Sequence, residues 1–238
     1  MLTKQDKIAH VQSCIVTEWS CPKDSFSKIE NVIIETDKKF FEIITFGQNA
    51  VIRADKTIIR WCEESFSKIP AAEILDSNNL YLLEKKLREH GKKLGGEHIR
   101  FLHLESEVKP KKPQGLTFGW FEKERLSLLY SDKRFENALN YCKKFESLAL
   151  IAKDSDETIA MVAVDEHYYG LWQIGVDTLE SHRNKGIAAY LVKEMALEAE
   201  KRGKIPYYTT WLANLALVRT AMRAGFVPVW VWYFANNV

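Results

Sequence analysis

Leu171–Gly203, LWQIGVDTLESHRNKGIAAYLVKEMALEAEKRG, contains a strand, a turn and a helix in direct succession. LWQIGVD has the apolar, partly alternating character of a strand, TLESHRNK is a tight polar turn, and Ile187, Ala188, Leu191, Val192, Met195 and Ala199 mark the apolar side of a helix. Gly186 stands where turn becomes helix, three residues after Arg183 and two before the small Ala188. The first four N–H groups of a helix lack internal partners, and its dipole places about half a positive charge at that end. A strand, turn and helix joined without slack therefore present backbone amides to an anion such as a phosphate. Glycine permits close backbone approach there. Alone, Arg-x-x-Gly-x-Ala is equally an ordinary helix start.

A second feature lies downstream. Asn214 opens the short helical stretch NLALVRTAMRA, Gly225 stops it, and the aromatic strand FVPVWVWYF follows. Asn is a good N-cap and Gly a good C-cap, so each residue also has a purely structural explanation. It is the pairing of this element with the glycine turn that carries information.

The two elements together resemble the GNAT superfamily of acyl-CoA-dependent N-acetyltransferases, in a bacterial branch with an extra amino-terminal domain. The acyl-CoA signature of that family is met by Arg183, Gly186 and Ala188 after the strand WQIGVD. Its downstream element, an Asn eleven residues before Gly-Phe, is met by Asn214, Gly225 and Phe226. The resemblance runs from about Asp132 to the end of the chain. It implies that pantetheine lies between two parallel strands that splay apart, Gly170–Val176 and Ile205–Trp211, with the pyrophosphate of acetyl-CoA on Arg183, Asn184, Lys185, Gly186, Ile187 and Ala188. Gly175 suits a bulge in the first strand. An amide near Val176 would stabilise the tetrahedral oxyanion formed when the acceptor amine attacks the thioester directly, and Asn214 belongs to the same cofactor-binding set.

An alkylamine of pKa about 10.4 is neutral in only about one part in 2,500 at pH 7, a penalty of roughly 4.6 kcal/mol. One positioned base contributes about 3 to 5 kcal/mol and suffices. Glu166, His167 and Asp177 are the catalytic candidates by position, each with a solvated-turn or capping role as the alternative. Many family members carry a tyrosine seven residues after the Asn to protonate the departing thiolate, and Ala221 stands there. Expelling a thiol of pKa about 8.5 as thiolate costs only around 2 kcal/mol at neutral pH, so catalysis survives without that acid. Tyr190, Tyr207 and Tyr208 are possible substitutes. The expected activity is transfer of an acetyl group from acetyl-CoA to a primary amine of a small molecule. The alternative is a catalytically inactive CoA-binding sensor.

Outward from this region, the expected fold class is α+β. A GNAT-like mixed sheet flanked by helices occupies residues 111–238, and a smaller α+β domain occupies residues 1–110, the boundary falling in Lys109–Gly115, KPKKPQG. Further strands are expected at Leu148–Ala152, Thr158–Asp165 and Phe226–Phe234, and helical spacing at Phe135, Leu139 and Cys142. The tryptophan-rich tail reads as a sheet strand or half of a homodimer seam. Near the start, Ile8, Val11 and Ile15 suit an amphipathic helix. NVIIE, FFEIITF, AVIRA and TIIRW read as an antiparallel meander over Asn31–Cys62, followed by a helix capped by Ser77 or Asn78 and ended by Gly91, then the strand EHIRFLHLE.

The 238 residues carry 34 basic against 32 acidic side chains, too balanced for a nucleic-acid or anionic-membrane partner. At 46% hydrophobic and 28% charged the composition excludes disorder, collagen and coiled coil. MLTKQDKIAH has no signal-peptide core, which predicts a cytoplasmic protein. Cys14, Cys21, Cys62 and Cys142 lack the close pairs of a zinc or dithiol site, so buried free thiols and no metal are expected.

Overall fold

A computed structural model describes residues 2–139 and 144–238. In chain order its elements are α1 (Lys4–Trp19), β1 (Val32–Glu35), β2 (Phe41–Thr45), β3 (Ala50–Ala54), α2 (Ile59–Phe66), α3 (Ser77–Arg88), β4 (Lys92–His103), β5 (Leu116–Glu122), β6 (Glu146–Asp154), β7 (Glu157–Tyr168), β8 (Leu171–Thr178), α4 (Ile187–Lys201), β9 (Ile205–Trp211), α5 (Leu215–Arg223) and β10 (Phe226–Asn237). Parallel and antiparallel pairs both occur, the strands of residues 8–100 and 229–238 being ordered β1-β3-β2-β10-β4 and those of residues 101–228 being ordered β9-β8-β7-β6-β5. Two compact units divide the chain: Ile8–Arg100 with Val229–Val238, and Met1–Lys7 with Phe101–Pro228. The segment Lys109–Gly115 is coil between β4 and β5.

In the first unit, β2 and β3 are buried along their whole length and pair antiparallel, while β1 lies parallel to β3. The expected meander is thus corrected twice: β1 joins β3 rather than β2, and TIIRW begins a helix, not a fourth strand. Asn31 fixes β1 beside β3, its Oδ1 accepting from the Ala50 amide at 2.8 Å and its Nδ2 donating to the Phe66 and Ile69 carbonyls. Asp55 starts α2, its carbonyl accepting from the amides of Ile58 and Ile59 at 3.0 Å each. Ile58, Cys62 and Phe66, four apart, then bury one helical stripe against Ile43, Ile52 and Leu83. A five-residue apolar run is too short to reveal that period. The α3 helix starts at Ser77 with Asp76 as its cap, accepting from the Asn79 amide at 2.9 Å, and Gly91 follows it at φ +66°. The aromatic tail is an interior strand, β10 pairing antiparallel with β2.

In the second unit, β5 to β8 pair antiparallel in succession, and β9 adds parallel to β8. One face, carrying Ala149, Ile151, Met161 and Ala163, is covered by Leu126, Phe135, Ala138 and Leu139. Strand β5 had no clear alternation in the sequence, because Gly119 and the exposed Trp120 interrupt it. Of the helical spacing expected over Asp132–Lys144, the described residues show a 3-10 turn, Lys133–Phe135, under an Asp132 cap, and residues 140–143 lie outside them. Cys142 lies outside the described residues. The other cysteines carry free thiols, with Cys21 and Cys62 buried and Cys14 half-buried. No helix of the described residues is long and apolar enough to cross a membrane, and none of their His, Cys, Asp and Glu side chains group in threes that could hold a metal.

Candidate functional site

Strands β8 and β9 are paired from Leu171↔Ile205 to Ile174↔Tyr208, and beyond that register no pair joins them. Strand β8 nevertheless stays paired with β7 out to Ala160↔Thr178. The separation is therefore a fork between β8 and β9, leaving the freed edge of Gly175–Thr178 open to a ligand's amides. Two buried hydroxyls flank the opening, Thr178 Oγ1 and Thr209 Oγ1, and neither has a hydrogen-bond partner among the described residues. Buried polar atoms are ordinarily satisfied, so two orphans on the separating strands suit an extended polar ligand.

Gly175 makes no bulge: Ala163↔Gly175 is a regular pair, and the irregularity between β7 and β8 falls between Asp165 and Tyr168. Glycine is needed there for another reason. A Cβ would lie 2.5 Å from the Asn137 carbonyl oxygen and 3.2 Å from the Ala138 Cα, so the 137–138 backbone rests directly on the strand.

Past the fork, the Arg183 amide donates to the Glu180 carbonyl at 3.2 Å and the Arg183 Nε donates back to the Thr178 carbonyl at 3.2 Å. Asn184 and Gly186 both take left-handed backbone, at φ +63° and +78°. Left-handed residues in a tight turn are an ingredient of anion-binding nests. The first helical bond runs from the Tyr190 amide to the Gly186 carbonyl at 3.1 Å, so the amides of Gly186, Ile187, Ala188 and Ala189 have no earlier carbonyl to bond. A Cβ on Gly186 would meet nothing within 4 Å. Arg183, Asn184, Lys185 and Gly186 are exposed around this free space, whereas Ile187 is buried and anchors the helix.

Among the remaining candidates, Val176 is buried two residues past the last β8–β9 pair and faces Val162 on β7. Asn214 caps α5, its Oδ1 accepting from the Leu217 amide at 3.3 Å. The Asp177 carboxylate accepts from the Asn137 amide at 2.8 Å, the Asn137 side-chain amide at 3.0 Å and the Ala138 amide at 2.9 Å, which holds the 137–138 backbone over Gly175. Glu166 accepts from the Gly170 amide, the Trp172 indole and both reaches of the Lys204 ammonium, at 2.7 to 3.0 Å. Burial pushes its pKa up, but these donors prevail and hold it below the usual carboxylate range. His167 is the least engaged of the three, half-exposed with Nε2 3.3 Å from Asp165 Oδ1.

Ala221 is fully buried, so the side of α5 where a tyrosine would stand is filled. The Tyr207 hydroxyl donates to Gln173 Oε1 at 2.5 Å, Tyr208 is buried against Phe101 and Phe226, and Tyr190 packs on Phe118. Burial raises the pKa of the Tyr208 phenol, and the Asp177 charge adds to it.

Sequence reasoning missed a buried polar network in the same unit. Lys193 Nζ bonds His103 Nε2 at 2.8 Å and the Ser106 carbonyl at 2.8 Å, His103 Nδ1 meets Glu200 Oε1 at 2.8 Å, and Lys7 donates to Glu200 and to the His103 carbonyl. Lys193 and Glu200 sit on a helix whose other inward residues are apolar, and that polar pair was the available signal.

The model of the acetyltransferase (GNAT) family matches residues 116–226. Among solved structures, a GCN5-related N-acetyltransferase-like protein from Streptococcus suis aligns with 98% of this chain and 99% of its own, at 12% identity and a TM-score of 0.51. A putative acetyltransferase of the GNAT family from Novosphingobium aromaticivorans aligns with 61% of this chain at 16% identity and a TM-score of 0.46. A GCN5-related N-acetyltransferase from Kribbella flavida aligns with 68% at 20% identity and 0.47. The match spans 66% and 64% of those last two chains. No curated protein matches the chain. The fork, the glycine turn and the Asn-capped α5 all fall within the matched segment, and residues 116–226 belong to the acetyltransferase (GNAT) family.

Proposed function

We propose that the protein transfers an acetyl group from acetyl-CoA to a primary amine of a small molecule by direct attack on the thioester. The observation that carries this reading is the free space and unbonded amides at Gly186, one turn beyond a fork between parallel strands. Pyrophosphate oxygens would be held by the amides of Gly186–Ala188 and by the charges of Arg183 and Lys185, with Asn184 shaping the turn. The pantetheine arm would lie along the freed edge of β8, within reach of Thr178 and Thr209, and Asn214 would keep its side-chain NH2 for the same ligand. Residues 111–238 carry every one of these groups.

The amine must lose a proton before it attacks. Glu166 and Asp177 have their lone pairs committed to neighbouring donors, so His167 is the remaining base among the three. An amide near Val176 would receive the oxyanion. With Ala221 buried, the thiolate departs without a tyrosine from α5, at a cost of only around 2 kcal/mol.

Thiol release from acetyl-CoA across a panel of amines tests the proposal, with Gly186→Glu as control. Amine-dependent release by the wild type that the variant loses supports it, and a wild type indistinguishable from the variant overturns it. The filled position at Ala221 favours one second reading, a CoA sensor without turnover. Calorimetry separates the two, because tight CoA binding with no release on any amine selects the sensor.

A further inference from the structure

Four residues line up across the second unit: Glu146 on β6 is opposite Asp165 on β7, Asp165 is opposite Gln173 on β8, and Gln173 is opposite Tyr207 on β9. Directly opposed residues share a face of a sheet, so these side chains form one polar row. It lies on the face of Ala163 and Gly175, beside the 137–138 backbone. Its Gln173–Tyr207 end is one register short of the last pair before the fork. At the other end Asp165 Oδ1 is buried with no hydrogen-bond partner among the described residues, yet stands 3.3 Å from His167 Nε2. The imidazole lies against the Phe145 ring, centroids 4.5 Å apart, which limits its rotation. The charged and titratable groups around Asp165 are His167 on its own strand and Glu146 across from it, with the Tyr130 phenol hydrogen-bonded to Glu146. The neighbour from β8 is the neutral Gln173. Glu166 turns instead to Lys204.

Burying a carboxylate beside a second carboxylate is unfavourable, and groups held at such a cost cluster at functional sites. We propose that Asp165 is the positioning residue for His167: the charge of its buried Oδ1, 3.3 Å from Nε2, favours the tautomer that carries its proton there and leaves Nδ1 as the lone pair that accepts the proton of the acceptor's ammonium group. This rests on the acetyl-transfer reading. In the step, R–NH3+ gives one proton to Nδ1. The freed nitrogen lone pair then forms the N–C bond, the C–S bond breaks with its electron pair passing to sulfur, and the second amine proton leaves to solvent. Glu146 acts from behind, because its negative charge favours retention of protons on its neighbours.

The test combines kinetics with nitrogen-15 NMR of the imidazoles in the full chain. Asp165→Asn is expected to lower kcat by about 10- to 100-fold, as loss of an orienting partner does, with KM for acetyl-CoA unchanged. His167→Gln is expected to lose as much, and the double variant no more than either alone. Glu146→Gln is expected to move the acid limb of the kcat/KM profile to lower pH, because removing a negative charge lets the proton leave more easily. The NMR spectrum of the wild type should show His167 protonated at Nε2, and Asp165→Asn should lose that preference. Additive losses in the double variant, an unmoved acid limb, or an Nδ1-protonated His167 would overturn the assignment. If no amine supports thiol release, the acetyl-transfer reading fails by itself, and the NMR result still decides whether Asp165 orients His167.

Discussion

Gly186→Ala separates two reasons for a glycine at that corner. At φ +78° an alanine pays a left-handed strain of about 1–2 kcal/mol. Its methyl group meets no protein atom within 4 Å, so no clash adds to this. For a chain of this size each kcal/mol lowers Tm by about 2–4 °C, giving an expected drop of roughly 2–8 °C. If phosphate oxygens occupy that space, the methyl group also displaces at least one charge-assisted hydrogen bond worth about 1.5–3 kcal/mol, or a roughly 10- to 150-fold weaker Kd for CoA. Gly203→Ala is the matched control, since Gly203 has φ +73° and nothing within 4 Å. Calorimetric titration with CoA and thermal melts on the same preparations should show similar Tm losses in both variants and weakened binding only in Gly186→Ala. Wild-type affinity in Gly186→Ala would mean that the free space does not belong to a phosphate.

Gly175→Ala is expected to destabilise the protein by about 1–3 kcal/mol, since its Cβ would sit 2.5 Å from the Asn137 carbonyl oxygen, and urea unfolding that matches the wild type would contradict this. Burial lifts the Asp165 pKa from 3.8 to about 6, against the pull of His167, with Glu146 adding to the rise. The native state therefore holds the proton longer than the unfolded one, and stability falls as pH rises from about 4 to about 6. Asp165→Asn should consequently gain up to about 3 kcal/mol over the wild type at pH 7.5 and nothing near pH 4, and a gain independent of pH in urea melts would exclude this cause. Glu166 has the opposite sign: its lowered pKa supplies stability above the ordinary carboxylate value that disappears as pH falls through the folded one. Glu166→Gln should lose about 1–2 kcal/mol at neutral pH while leaving the acid limb of kcat/KM in place, and a shifted limb would return Glu166 to the list of bases.

The features legible in the sequence are those set by local chemistry. The strand, turn and α4 of Leu171–Gly203 follow from residues adjacent in the chain, and the caps at Asn214 and Gly225 act within one helical turn. What escaped reading depends on distant partners. The hydrogen bonds that Asp177 accepts could not be read from its surroundings in the chain, because their donors, Asn137 and Ala138, lie some forty positions away. Glu166 looked free for the same reason, Lys204 being 38 positions downstream. The bulge expected at Gly175 was a correct reading of an unusual glycine with the wrong cause, since a close backbone crossing and a bulge both require a missing Cβ. The run TIIRW is short enough to satisfy either period, and only the burial of Ile58, Cys62 and Phe66 together selects a helix.

A crystal structure with acetyl-CoA bound would show directly whether the Gly186 corner holds the nucleotide. Pyrophosphate oxygens are expected within hydrogen-bond distance of the Gly186, Ile187 and Ala188 amides, and the thioester in the opening beyond Ile174 and Tyr208. Density for the nucleotide anywhere else, with those amides facing only solvent, would contradict this.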